Sequence, residues 1–416
     1  MSPGKNTTCA FSLRVACVAL GSGRSSKTSL VRCCSQPGTA ESRSRRPGGE
    51  DTRAAPAPAA GPAAGPAPGL PDLLLITATQ HSDRAEKVPH RMTSALGRRL
   101  VACLLNISEA RERDVVEKVA QAAITHQHGG RRKGATVLNI FSDHDYNRSV
   151  LTIVAGIELI GEVVLSASER AFSLIDMTKH EGIHPCMGAV DLVPFYPLGE
   201  EVSLEDCGKE AQALGTALTE RVPGTSAFFF GWADIPLHRG LAHRRKELGW
   251  FRKVPNMAAV RPDVGPLPMR RCGLTGIGAN PYVMNCNVTI DTQDVSLGRD
   301  VAAAIRDSSP GGIPGVQVMA LPHEGTVEIA CNVESVPCSA AGGESWPAFR
   351  VGDQKFCHAP ASLITTRVTE LARCRGVRTR GTALVGFTPL ECKRLAERAL
   401  SQDIGEFWKE LHGVRM

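Results

Sequence analysis

The chain has 416 residues, of which 42% are hydrophobic and 22% charged, enough for two packed domains and a tail. The formal net charge is only +6, and no stretch approaches the ~18 consecutive apolar residues of a helical membrane span, so no membrane partner is expected. The 14 cysteines are scattered without a Cys-x-x-Cys pair. That excludes a zinc ribbon and the regular disulfide framework of a small secreted domain, and leaves reduced thiols of an intracellular protein as the expectation.

Residues 1–90 read as a disordered Pro/Ala-rich extension. Between Met1 and Ala40 there is no acidic residue, while Lys5, Arg14, Arg24, Lys27 and Arg32 are basic. This composition reads first as an ordinary disordered extension and alternatively as a mitochondrial transit peptide, so a cytoplasmic location with a mitochondrial alternative is expected. Ala54–Leu70 is Pro/Ala/Gly low complexity with nothing to bury, and the apolar 71–77 is too short to carry a domain.

From Arg99 the pattern becomes that of a folded chain. Leu100–Ile107 reads as a strand, and Asn106-Ile-Ser-Glu109 supplies capping residues for a helix carrying Val115, Val116, Val119, Ala120 and Ala123 at helical spacing. Strands follow at Ala135–Phe141 and Arg148–Ala155, then a helix over Ile157–Ser173 and a strand at Val190–Phe195. Ser203-Leu-Glu-Asp206 resembles a capping box, and Ser226–Trp232 is a further strand. The second half repeats the order. It has a strand at Tyr282–Ile290, a helix at Val295–Arg306, strands at Val316–Leu321 and Thr326–Val333, a helix at Ser362–Cys374 and a strand at Thr382–Gly386. Thr388-Pro-Leu-Glu391 opens a last helix. Two βαββαβ runs predict an α+β fold of two ferredoxin-like subdomains, over 99–254 and 274–405, joined by a linker at 255–273. Gly342–Asp353 reads as a loop inserted in the second half.

Four stretches carry chemistry. His180-Glu-Gly-Ile-His184-Pro-Cys-Met-Gly-Ala-Val-Asp191 places two histidines in a non-helical loop before an apolar strand. Gly182 and Pro185 argue against a helix, which disfavours a metal pair at this spacing and points to acid–base work or packing; no metal is expected. Asp143-His-Asp-Tyr-Asn147-Arg148 reads either as a hairpin turn or as a cluster in which Arg148 meets a carboxylate and an aspartate orients a histidine. Gly265-Pro-Leu-Pro-Met-Arg-Arg-Cys-Gly273 is either a plain linker or one wall of a ligand cleft. Arg239–Lys253 is either a solvated helix face or a basic rim for an anionic ligand tail.

His180-x-Gly-x-His184-Pro-x-Met-Gly-Ala-x-Asp191, Asn106-x-Ser-Glu109, Asn147-Arg148-Ser-Val and Pro262-Asp-x-Gly-Pro266 together resemble the formiminotransferase domain of formiminotransferase-cyclodeaminase. The resemblance covers roughly residues 99–400. It implies two subdomains packed around a folate cleft and transfer of a formimino group from N-formimino-L-glutamate to tetrahydrofolate as co-substrate. It implies His184 as the catalytic residue, Asn106, Asn147, Arg148 and Asp191 at the substrate, and Gly265, Pro266, Arg270, Arg271 and Gly273 at the folate. The family usually carries Glu before the histidine and Arg two residues after it, where this chain has Ile183 and Cys186. Phe141 stands where the bifunctional enzyme has an acidic residue. No cyclodeaminase activity is expected of a chain ending at Met416. A homodimer is left open, as is a non-catalytic folate-binding role. RNA binding, the other use of a βαββαβ order, is disfavoured because Arg148–Ala155 and Val316–Leu321 lack stacking aromatics, so no nucleic-acid partner is expected.

Overall fold

The computed structural model describes residues 97–126, 128–250, 260–341 and 345–410, all within the compact unit Asp83–Met416. The basic extension and the apolar 71–77 lie outside the described residues. Among the described residues no helix is long and apolar enough to cross a membrane.

The first half runs β1 (Leu100–Ile107), α1 (Arg113–Ile124), β2 (Ala135–Asp143), β3 (Arg148–Gly156), α2 (Ile157–Leu174), β4 (Val190–Pro197), α3 (Leu204–Arg221), β5 (Ala227–Gly231), α4 (Leu241–Glu247) and β6 (Thr275–Ala279). The second runs β7 (Val283–Ile290), α5 (Val295–Ile305), β8 (Val316–His323), β9 (Thr326–Glu334), β10 (Val336–Pro337), β11 (Ala348–Val351), β12 (Gln354–Cys357), α6 (Ala361–Arg373), β13 (Thr379–Val385) and α7 (Pro389–Ser401). The first sheet has the order β2-β3-β1-β4-β6-β5 and the second β13-β7-β9-β8. Within each half the βαββαβ strands therefore lie in the same spatial order, fourth-first-third-second, as the sequence pattern predicts for a split βαβ unit.

Burial explains why β1 reads as an unbroken apolar run. Val101, Cys103 and Leu105 face α1, α2 and α3, while Leu100, Ala102 and Leu104 face a second core shared with α7 and the β11–β12 hairpin. Phe349, Phe356, Phe387, Cys392 and Ala396 complete that second core, which joins the two halves. The second sheet is instead one-sided. Met284, Cys286, Val288 and Ile290 of β7 pack on α5 and α6, and the alternate positions are only half-buried.

Two elements differ from the sequence reading. Thr275–Ala279, assigned there to the second half, pairs in parallel with β4 and β5 of the first sheet. Glycines at 276 and 278 mask it as a strand, yet the sheet needs them. A Cβ on Gly276 would lie 2.7 Å from the Phe228 ring, and one on Gly278 2.4 Å from the Phe230 carbonyl oxygen. Residues 348–351 and 354–357, read partly as an inserted loop, form the β11–β12 hairpin, with Phe349 and Val351 turned inward.

Candidate functional site

Register brings three polar side chains to one end of the first sheet. Asn106 near the end of β1 lies opposite Val150 of β3 and Leu192 of β4, so Arg148 and Asp191, at the start of those strands, converge on it. Arg148 donates through Nε (3.1 Å) and Nη2 (2.8 Å) to Asn106 Oδ1, and through Nη1 (2.5 Å) to Asp191 Oδ2. Asp191 Oδ1 accepts the Met187 amide at 2.8 Å, and Arg245 Nη2 stands 3.5 Å from Oδ2. Burial acts to raise the Asp191 carboxyl, but the two guanidinium groups hold it below the usual carboxylate range. Burial drives Arg245 down to about 10, only partly opposed by Asp191, and its guanidinium lies 4.2 Å over the Trp250 ring.

The histidine loop is pressed onto this floor. A Cβ on Gly182 would come 2.2 Å from the Tyr146 carbonyl oxygen, and one on Gly273, whose φ is +74°, would come 2.0 Å from that of Met187. His184 is half-buried, with Tyr146 5.3 Å and Trp250 5.7 Å away between ring centroids. Its Nδ1 lies 2.9 Å from the Pro185 carbonyl oxygen, which only accepts, and 3.5 Å from Arg148 Nη1, which only donates; the shorter contact favours the tautomer with the proton on Nδ1 and the lone pair on Nε2. Cys186 Sγ accepts from Arg148 Nη1 at 3.5 Å. Burial pushes its thiol up, yet the Arg148 charge prevails and leaves it below the ordinary thiol value. Ile183 is 44% exposed.

His180 and Asn147 build the scaffold. His180 Nδ1 lies 3.1 Å from the Ser108 carbonyl oxygen, and burial lowers its pKa, which favours the neutral ring. Asn147 adopts φ 48°, a conformation asparagine tolerates. Its Oδ1 accepts from the Ala110 amide at 3.0 Å, and its Nδ2 donates to the Glu181 carbonyl at 3.2 Å.

The 143–147 turn reaches the second half. Asp143 Oδ2 pairs with His323 Nε2 at 2.8 Å, Asp145 accepts the Glu324 amide at 2.8 Å, and Tyr146 Oη donates to Glu328 at 2.7 Å. The hydrogen bond to Asp143 outweighs burial and pushes His323 up to about 9, while burial raises Glu328. The turn thus does orient a histidine through a carboxylate, with the partner some 180 residues away in sequence.

Between the sheets lies a cavity. Asn106, Tyr146, Arg148, His184 and Arg245 line it from the first half, and Asn285, Asn287, Asn332 and Glu334 from β7 and β9. Of the residues expected at the site, Asn106, Arg148 and His184 line the cavity. Asp191 lies beneath it and Asn147 holds the loop. Gly265, Pro266, Arg270, Arg271 and Gly273 line neither this cavity nor the one adjoining it. Arg271 instead donates to the Phe172 carbonyl (2.9 Å) near the end of α2, as cations at helix C-termini do. The basic-rim expectation also needs correction. Arg244 and Arg245 are 5% and 8% exposed, because Asp263 and Asp191 draw them inward. Lys246 does line the adjoining cavity, and Arg252 and Lys253 lie outside the described residues. Among the described residues no cluster of His, Cys, Asp and Glu could hold a metal ion.

Sequence reasoning missed His323, Glu328 and the amide wall, and it gave Tyr146 and Arg245 no role of their own within the stretches that hold them. One signal was legible: Asn285, Asn287 and Thr289 alternate with apolar residues along β7, marking a polar sheet face.

Residues 100–280 match the family model described as formiminotransferase domain, N-terminal subdomain. Over these residues the chain is similar to the formiminotransferase family. The glutamate formimidoyltransferase of Thermoplasma acidophilum is 29% identical over 239 residues, covering 56% of this chain and 76% of the relative. A formiminotransferase cyclodeaminase-like protein of Arabidopsis thaliana is 29% identical over 265 residues, 59% of this chain and 85% of its own length. The formimidoyltransferase-cyclodeaminase of Sus scrofa is 31% identical over 194 residues, covering 46% of this chain but only 34% of that protein.

Proposed function

We propose that the protein transfers a formimino group from N-formimino-L-glutamate to tetrahydrofolate in the cavity between its sheets. The observation that carries this reading is His184, with its Nδ1–H bonded to Pro185 and its ring on the cavity wall beside Arg148. Relatives named as glutamate formimidoyltransferases support the same chemistry. Nitrogen N5 of the reduced folate attacks the amidine carbon, a tetrahedral intermediate forms, and the amine of glutamate leaves. The attacking nitrogen must lose a proton and the leaving nitrogen must gain one. Histidine exchanges protons near neutral pH, and His184 Nε2 has the lone pair to begin. Asp191 neutralises much of the Arg148 charge, so Arg148 and Arg245 together leave about one positive charge for a substrate carboxylate. The reading sets the folate in the cavity rather than along Gly265–Gly273.

A second reading, a folate-binding protein without turnover, is favoured by Ile183 and Cys186 standing where the family carries charge. The two are separated by mixing the purified protein with tetrahydrofolate and N-formimino-L-glutamate and following product absorbance. Turnover that a His184→Ala variant loses by ~10²-fold or more supports the transferase. Folate binding without turnover above that variant supports the second reading.

A further inference from the structure

Glu334 ends β9 on the sheet face that also carries Glu328, Ala330 and Asn332. It lines the cavity beside His184, and it lines the adjoining cavity, where His184 appears again. The two side chains thus flank the space where the cavities meet, one from each subdomain. The Glu334 backbone is fixed, because its amide donates to the Gly315 carbonyl at 2.8 Å. A Cβ on Gly315 would come 2.4 Å from the Glu334 carbonyl oxygen.

The other carboxylates around the site are committed. Asp191 holds Arg148, Asp143 holds His323, and Glu328 accepts from Tyr146 and Asn287. The Glu334 carboxyl has no hydrogen-bond or ion-pair partner among the described residues, although it is half-buried. A desolvated carboxyl on a cavity wall with no structural partner is costly to keep unless a ligand or a proton uses it. Burial, assisted by the Asp307 carboxylate, pushes it up to about 7. Such a carboxyl carries a proton for much of the time at neutral pH.

We propose that Glu334 is a second proton-transfer group of this site, acting from the second subdomain against His184 in the first. This rests on the transferase reading. His184 accepts the proton of N5 as the bond from N5 to the amidine carbon forms. Glu334, as the neutral acid, donates its proton to the nitrogen of glutamate as the bond from carbon to that nitrogen breaks. A water then carries the proton from the imidazolium to the Glu334 carboxylate, and both groups return to their starting states. Two groups on opposite walls remove the need for one imidazole to reach both nitrogens.

The test is the pH dependence of turnover in the full-length protein, comparing wild type with Glu334→Gln and Glu334→Asp. The groups facing Glu334 (Asp143, Tyr146, Arg148, His184, Tyr196, Arg245, Lys246, Arg299, Arg306 and nearby Asp307) are common to all three proteins, so the comparison isolates its own titration. Because the acid form is the active one, wild-type kcat should fall as pH rises through about 7. Glu334→Gln should lower kcat by ~10²-fold or more and remove that alkaline limb. Tetrahydrofolate affinity, read by tryptophan fluorescence, should stay within about a factor of two, because no uniform binding is lost. Glu334→Asp should recover part of the rate and keep the limb. A Glu334→Gln protein with wild-type kcat and an unchanged limb would overturn the proposal while leaving the transferase reading intact. Loss of folate affinity in both variants with unchanged kcat would also overturn it, by making Glu334 a binding group. Absence of turnover in the wild type overturns both readings together.

Discussion

The ion pair between Asp143 and His323 spans the two sheets, and its contribution can be worked from the structure. An unfolded histidine titrates near 6.5, whereas His323 in the folded protein is pushed up to about 9 by its hydrogen bond to Asp143, against burial. The folded state therefore binds this proton more tightly than the unfolded state. The stabilisation is complete below about 6.5, declines as pH rises, and is gone above about 9. A tenfold change in proton affinity is ~1.4 kcal/mol, so the interval corresponds to about 3 kcal/mol, of which roughly 2 kcal/mol remains near pH 7.5. The pair is largely shielded, with side chains 15% and 9% exposed, so screening by solvent should remove little of this. His323→Gln keeps a polar side chain and removes the titration. Urea unfolding of wild type and variant at intervals from about pH 5 to pH 10 should show the variant weaker by roughly 2–3 kcal/mol at neutral pH and the two curves merging at the alkaline end. Curves that run parallel across the whole range would refute the assignment.

Other perturbations read other parts of the site. Asp191→Asn leaves Arg148 buried without its counter-charge and should cost ~3–5 kcal/mol in urea unfolding, far more than an exposed pair would. Gly182→Ala forces the loop off the Tyr146 carbonyl. It should lower turnover by roughly 10²-fold through displaced His184 while the unfolding midpoint shifts much less.

How much of this was legible can be argued residue by residue. Arg148 and His184 stood out because a guanidinium at the start of a strand and an imidazole in a non-helical loop are short-range signals, whereas Asn106 read locally as a capping residue and its place at the site was implied only by the family resemblance. The Arg244–Arg245 pair was misread as a surface rim because its partners, Asp263 and Asp191, are 19 and 54 residues away. A run of basic residues looks solvated until the fold supplies carboxylates. Strand β6 was hidden by Gly276 and Gly278, whose smallness serves Phe228 and Phe230 on the neighbouring strand rather than any local preference. The Gly265–Gly273 segment carries turn chemistry that suits a cleft or a linker equally. Tertiary contacts with the end of α2 and with Met187 bind it away from the cavity. The amide wall of β7 and β9 was visible as alternation, but nothing local says which of two faces a sheet turns toward a partner.

That alternation couples two properties that most proteins keep apart. In β7, each step of one residue moves from the apolar core to the cavity wall, and β9 opposite it keeps the same phase from Glu328 to Glu334. Inserting or deleting one residue in either strand would not merely shift the site. In β7 it would turn Cys286 and Val288 into the cavity and drive Asn285 and Asn287 among the aliphatic side chains of the core, and in β9 it would exchange Cys331 and Val333 with Asn332 and Glu334 in the same way. Length in these two strands is therefore constrained twice over, so tolerated variation in the second subdomain should appear as substitutions within them and as length changes only in the turns beyond.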